Sequence, residues 1–223
     1  VLDTYTKLEC GEYASDSNYP SFKSYIAWLQ LQNKEEAQEF WGNYLLGVNQ
    51  PSKLTESTNQ KISKNNLRAE FKTAIDAQLL ANLNNYCQHN SLTLAIIIQA
   101  VWGLTVNYFT RQRDIVFGIV VSGRPSMIPD IDSVIGSFVN NLPVRMRLSN
   151  NLLIKDWLKS CQTTAQKRSN YDFIASDELL SFTSLASDQL LFDTILVWLT
   201  PIDKALLSRH NISVLSAELT TNY

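Results

Sequence analysis

Apolar positions in the first 47 residues recur at helical spacing in three runs, which predict helices over 1–9, 21–32 and 34–46. The second run sets Phe22, Tyr25, Ile26 and Leu29 on one face, and Gly47 is the expected stop for the set. From 48 to 66 the chain turns to Ser, Thr, Asn, Gln and Lys around Pro51, a composition that predicts an exposed linker. Beyond it, alternation over 67–71 predicts a strand. Helices follow over 73–88 and, behind a Ser91 cap, over 92–109. The latter is apolar nearly all round (Leu94, Ile96, Ile97, Val101, Leu104, Val106), so it is expected at the centre of the fold. A membrane span is the rival reading, opposed by Thr93, Gln99, Thr105 and Asn107 and by a barely sufficient length. Two β-rich runs, 115–121 and 138–148, the second interrupted at Pro143, flank a turn at Gly123-Arg124-Pro125 and are expected to pair. A helix over 152–169, with Leu153, Ile154, Trp157, Leu158 and Cys161 inward, would cover them, and 192–199 and 212–219 add two strands. The pattern is that of an α/β fold: a mixed sheet with helices layered on it, preceded by a helical segment.

Composition narrows the function classes. A chain of 223 residues that is 45% hydrophobic buries a substantial core. Its net charge of −2, with no basic run, gives no electrostatic reason to expect nucleic acid or an anionic membrane as partner. Cys10, Cys87 and Cys161 are odd in number and far apart, which suggests neither a disulfide framework nor a zinc site and points to a reducing, cytoplasmic setting. Residues 1–12 carry Asp3, Lys7 and Glu9 and no apolar core of a secretory signal. The start on Val1, within a helical pattern, predicts a longer parent chain. His89 and His210 have no partner at metal-ligand spacing, and the seven glycines form no phosphate-binding loop. There is no GxSxG elbow. Pattern and composition alone therefore stop at an α/β domain.

Order-specific motifs carry the reading further. Ile135-Gly136-Ser137-Phe138-Val139-Asn140-Asn141-Leu142-Pro143-Val144-Arg145 resembles the (I/V)GxFVNTxxxR motif of the condensation domains of nonribosomal peptide synthetases, with Asn141 where Thr is usual. Upstream, Asp114-Ile115-Val116-Phe117-Gly118 and Gly123-Arg124-Pro125 resemble that family's DIVFG strand and GRP turn. Phe22-Lys23-Ser24-Tyr25-Ile26-Ala27-Trp28 is similar to its YxD(F/Y)AVW helix, and Leu191-Phe192-Asp193-Thr194-Ile195-Leu196-Val197 to its LFDTLLV strand. Asn170-Tyr171-Asp172-Phe173 is a weak counterpart of (H/N)QDxPFE. Each block also has a plain structural reading: Phe138, Val139 and Leu142 are good strand residues, Gly136 serves close backbone approach, Arg145 reads as a solvated charge, and the tryptophans as packing.

The resemblance implies a chloramphenicol-acetyltransferase-like lobe. Residues 1–47 would be the helical segment joining two lobes, 48–66 the linker, and 67–223 the C-terminal α/β lobe, with the N-terminal lobe absent and the C-terminal end truncated. The implied activity is peptide-bond formation between aminoacyl or peptidyl thioesters presented on phosphopantetheine by upstream and downstream carrier proteins, beside an adenylation domain, with no cofactor bound directly. The family's catalytic HHxxxDG does not occur here and is expected upstream, so no catalytic residue is assigned and the chain alone is expected to be inactive. Gly136, Phe138, Asn140, Asn141 and Arg145 are expected to line the substrate tunnel. Asn140 is the amide directed into it if Val139 faces the core, because neighbouring strand residues point to opposite faces. Alternatives are a non-catalytic docking platform for carrier proteins and an epimerization-type relative.

Overall fold

The computed structural model describes residues 2–11, 21–54, 70–149, 151–186 and 188–199. Three helices lead: α1 (Leu2–Glu9), α2 (Phe22–Gln30) and α3 (Lys34–Leu45). Ser21 and Asn33 begin the second and third by accepting from the backbone N–H groups of Lys23 and Glu36, which satisfies donors that a helix start leaves unpaired. Gly47 ends the set as expected, at a φ of +83° that costs glycine little. Helix α3 buries Ala37, Trp41 and Leu45, one residue per turn, in the main core.

Helix α4 (Ala77–Asn90) and helix α5 (Leu94–Thr110) follow. Ser91 does not cap α5; it sits at φ +54° as the left-handed end of α4, and the side chain of Thr93 accepts from Ile96 N–H instead. Only one side of α5 is central. Ile96, Ile97, Ala100, Gly103 and Val106 are buried, whereas Val101, Leu104, Tyr108 and Phe109 are exposed. Among the described residues no single helix is long and apolar enough to cross a membrane.

The sheet is mixed. Strand β1 (Asp114–Val121) pairs antiparallel with β2 (Asn140–Arg147), from Asp114 opposite Arg147 to Val121 opposite Asn140, and parallel with the short β3 (Ile195–Leu196). Pro143 does not interrupt β2, because β2 is an edge strand among the described residues and a proline there costs no ladder bond. The hydroxyl of Tyr44 closes the same edge, accepting from Arg145 N–H and donating to Arg145 C=O. Gly103 lets α5 lie directly on Phe117 and Met146, since a Cβ there would stand 2.6 Å from the Met146 sulfur. Helix α6 (Ile154–Arg168) buries Trp157 and Leu158; Leu153 and Ile154, expected inward, are exposed.

Other expectations are corrected by burial. The start of the linker is exposed at Asn49, Gln50 and Lys53 but anchored at two points: Val48 and Ser52 are buried, and Ser52 accepts from Val116 N–H of β1. Residues 55–66 lie outside the described residues, as do 67–69 of the first predicted strand, whose described end, Glu70 and Phe71, is exposed and not in a strand. The strand expected over 192–199 shrinks to two residues, plus a bridge from Phe192 to Ser52. Side chains replace the ladder there: Asp193 accepts from Leu54 N–H, as Ser52 does from Val116. The strand expected over 212–219 lies outside the described residues.

Candidate functional site

Between β1 and β2 the chain leaves the sheet and returns; Gly136 and Phe138 lie on this excursion, and Asn140, Asn141 and Arg145 on β2. Phe138 anchors the excursion. Its ring meets Phe22 at 5.0 Å and Tyr25 at 4.8 Å, both edge to face, in a second apolar cluster with Ile131 and Val134. Arg124 of the GRP turn lies over the Phe138 ring, 4.1 Å from its centre, and donates through Nη1 to the carbonyls of Ile131 and Val134. Gly136 has no side chain because the Phe22 ring occupies that space: a Cβ would come within 2.2 Å of it. Trp28 completes the α2 contact, its indole N–H donating to the Met127 sulfur at 2.9 Å.

The two adjacent amides have different surroundings. Asn140 donates to Asp172 C=O at 2.8 Å and Ile174 C=O at 2.7 Å, and its Oδ1 accepts from Asn141 N–H at 2.9 Å. It therefore fastens the start of β2 to the 172–174 turn. Asn141 Oδ1 is buried and has no hydrogen-bond partner among the described residues. Its side chain lines a cavity of about 450 Å³ with Leu179, Leu180, Leu190 and Phe192. The condition that singled out Asn140 is not met, since Val139 is exposed and Phe138 is the buried neighbour.

Arg145 is not a solvated charge. Its side chain is buried and bidentate to Asp114, with Nε to Oδ1 at 2.7 Å and Nη2 to Oδ2 at 2.5 Å. Its Nη1 donates to the carbonyls of Tyr44 and Leu46, both at 2.8 Å. The guanidinium thus joins the sheet to the end of α3. His89 is exposed, with Nδ1 2.7 Å from Asn85 C=O, and His210 lies outside the described residues.

A second cavity, of about 510 Å³, opens among Trp28, Gln32, Arg124, Met127, Asp172 and Phe173. Asp172 is the residue that the sequence flagged only through a weak motif. Burial pushes its carboxyl up to about 6, partly opposed by the positive charge of Arg168, and its Oδ1 has no partner among the described residues. A carboxyl with a folded pKa above its unfolded one favours the native state fully below about pH 4, and that contribution is lost as pH rises through about 6. Asp172→Asn is therefore expected to raise stability by about 1–3 kcal/mol at pH 7.5 and to change it little at pH 3.5. Urea unfolding at the two pH values measures this, and equal effects at both would contradict the assignment.

An α/β lobe whose sheet carries an excursion pinned by aromatic rings, with two cavities at its return, is the class of protein that the geometry defines. The family is given by comparison: residues 1–220 match the family described as Condensation domain. The chain belongs to the condensation domain family. It is 35% identical over 177 residues to bacitracin synthase 3 of Bacillus licheniformis, covering 79% of this chain and 3% of that protein. It is 30% identical over 188 residues to tyrocidine synthase 3 of Brevibacillus parabrevis, covering 84% of this chain and 3% of that protein. The chain thus spans only a small part of the length of these relatives. The first condensation domain of the calcium-dependent antibiotic synthetase, solved in complex with a substrate analogue, shares the fold with a TM-score of 0.66 at 14% identity. That match covers 91% of this chain and 45% of the solved one, so this chain spans under half of that chain's length.

Proposed function

We propose that this chain is the C-terminal part of a condensation domain that joins aminoacyl or peptidyl thioesters held on carrier proteins. The observation that carries the reading is the family match across residues 1–220, together with the motif segment 136–145 folded against α2 and the 172–174 turn. In the reaction, the α-amine of the acceptor attacks the donor thioester carbonyl. A C–N bond forms, the C–S bond breaks, the donor's pantetheine leaves as the thiol, and the amine gives up one proton. An α-amine titrates near 8, so a useful fraction is neutral at pH 7 and positioning supplies much of the acceleration. A histidine of the family's HHxxxDG would assist from the N-terminal lobe.

This chain's contribution is one wall of the tunnel. Gly136 and Phe138 set the path of the segment, Asn140 and Arg145 fix it by their hydrogen bonds, and Asn141 is the amide left for a substrate group. The partners are two carrier proteins, whose phosphopantetheine arms enter as parts of the substrates, and an adjacent adenylation domain. The setting is cytoplasmic, a reading supported by three unpaired cysteines.

The test uses a condensation domain containing this chain, with loaded donor and acceptor carriers and product followed by mass spectrometry. Asn141→Ala is expected to lower the rate about tenfold, the value of one good hydrogen bond, at an unchanged melting temperature. Asn140→Ala is expected to lower the melting temperature, because two carbonyls lose their donor. The 223-residue chain alone is expected to give no product. Absence of product from the complete domain overturns the reaction, and an unchanged rate for Asn141→Ala overturns the tunnel assignment alone.

A further inference from the structure

A third cavity, of about 300 Å³, lies at the edge of β2 between α3 and α6, and its charge balance is unusual. Arg145, Arg147 and Arg168 line it, and no Asp or Glu does. The charge of Arg145 is cancelled by Asp114, which also stands 3.7 Å from the exposed Arg147. Two guanidinium groups remain against at most a share of one carboxylate. Arg168 is the telling one: it is 5% exposed and makes no side-chain hydrogen bond or ion pair with any described residue. Its guanidinium is therefore left facing the cavity, with no carboxylate of the lining to meet it.

Two internal compensations fall short. Arg168 ends α6, where the helix dipole favours a cation by about 0.3–1 kcal/mol, but the dipole does not satisfy guanidinium N–H donors. Asp172 feels the charge of Arg168, yet its own Oδ1 is unpartnered among the described residues and the two form no ion pair. The uncharged lining adds donors rather than anions: the amides of Asn43 and Gln99 border the same space. Cys161 lies beside them, half-buried, its thiol pushed up by burial.

We propose that this cavity binds a small dianion of the phosphate type, held by Arg168 with Arg147 on its solvent side. The guanidinium of Arg168, with that of Arg147, which shares Asp114 with Arg145, matches the charge of a phosphate, and arginine's fork matches its oxygens. The volume leaves room beyond the phosphate group, so inorganic phosphate and a phosphate monoester are both admitted as sources. The inference does not rest on the peptide-bond reading, although Arg145, which fixes the motif segment, also lines this cavity.

The test is alkylation of the 223-residue chain by iodoacetamide, a neutral reagent, followed by peptide mass spectrometry at pH 8 and constant ionic strength, with chloride replaced by phosphate. Phosphate is expected to slow modification of Cys161 at least threefold and saturably, while the exposed Cys10 is unaffected. Arg168→Gln is expected to abolish the protection without lowering the melting temperature in phosphate-free buffer, because no hydrogen bond or ion pair with a described residue is lost. No protection, or equal protection in Arg168→Gln or at Cys10, overturns the proposal. Should Arg168→Gln fail to fold, the exposed Arg147→Gln decides: half-protection must need several-fold more phosphate, and an unchanged value overturns the site. Repeating the titration with glycerol 3-phosphate separates the sources, a lower half-protection concentration than inorganic phosphate marking an ester site and an equal or higher one a free-phosphate site.

Discussion

Gly123→Ala is expected to destabilise the chain by about 3–5 kcal/mol, a large share of the 5–15 kcal/mol that holds a typical domain together. Two costs add. Gly123 has a φ of +61°, where an L-residue with a Cβ loses about 1–2 kcal/mol. The new Cβ would also stand 1.8 Å from the carbonyl oxygen of Phe138, which is backbone and has no rotamer by which to retreat. Relief requires the GRP turn and residue 138 to separate, which pulls the Phe138 ring from Phe22 and Tyr25 and from under Arg124. The loss is therefore expected to reach the 131–138 cluster and the docking of α2. Urea unfolding monitored by tryptophan fluorescence reports both, because Trp28 lies on α2 against Met127. A variant within about 1 kcal/mol of the wild type would show that the turn relaxes freely.

Arg145→Met is expected to cost about 2–4 kcal/mol. The lower part of the range for breaking a buried ion pair applies, because Asp114 is 44% exposed and keeps Arg147 at 3.7 Å after the change. Most of the cost falls on the carbonyls of Tyr44, which loses this donor, and Leu46, which keeps only Arg147 Nη2 at 3.5 Å. Arg145→Met should for that reason be worse than Asp114→Asn, and a double-mutant cycle between them should return a coupling of about 1–3 kcal/mol. Arg145→Lys is not expected to rescue, since one ammonium cannot span the carboxylate and two carbonyls together. A neutral Arg145→Met, or no coupling with Asp114→Asn, would show that this guanidinium does not pin the sheet to α3.

The motif segment shows where reading the sequence works and where it stops. Gly123 and Gly136 are recognisable within their motifs because each is required locally, one by a left-handed turn and the other by an aromatic ring at its Cα. The role of the neighbouring amides is not local. Strand parity leaves either Asn140 or Asn141 as the free one, and the choice falls to a turn 32 to 34 residues away that takes both donors of Asn140. Arg145 reads as a surface charge for the same reason. Its acceptors lie on the neighbouring strand, 31 residues back, and at the end of α3, about 100 residues back.

By itself the sequence determined the helices, the β1–β2 pair, the α/β class and the family, since apolar spacing, caps and ordered motifs act within a few residues of one another. Even there Ser91 and Thr93, both competent caps two places apart, needed the structure to separate them, as Thr93 is also held by Gln162 of α6. Tertiary structure alone decided that Val48 and Ser52 are buried, that Ser52 and Asp193 take the place of a longer β3, and that the half-buried Asp172 and the buried Arg168 form no ion pair among the described residues. Those outcomes depend on which distant backbone groups meet in low dielectric, where one hydrogen bond made or missed is worth as much as several residues of local propensity.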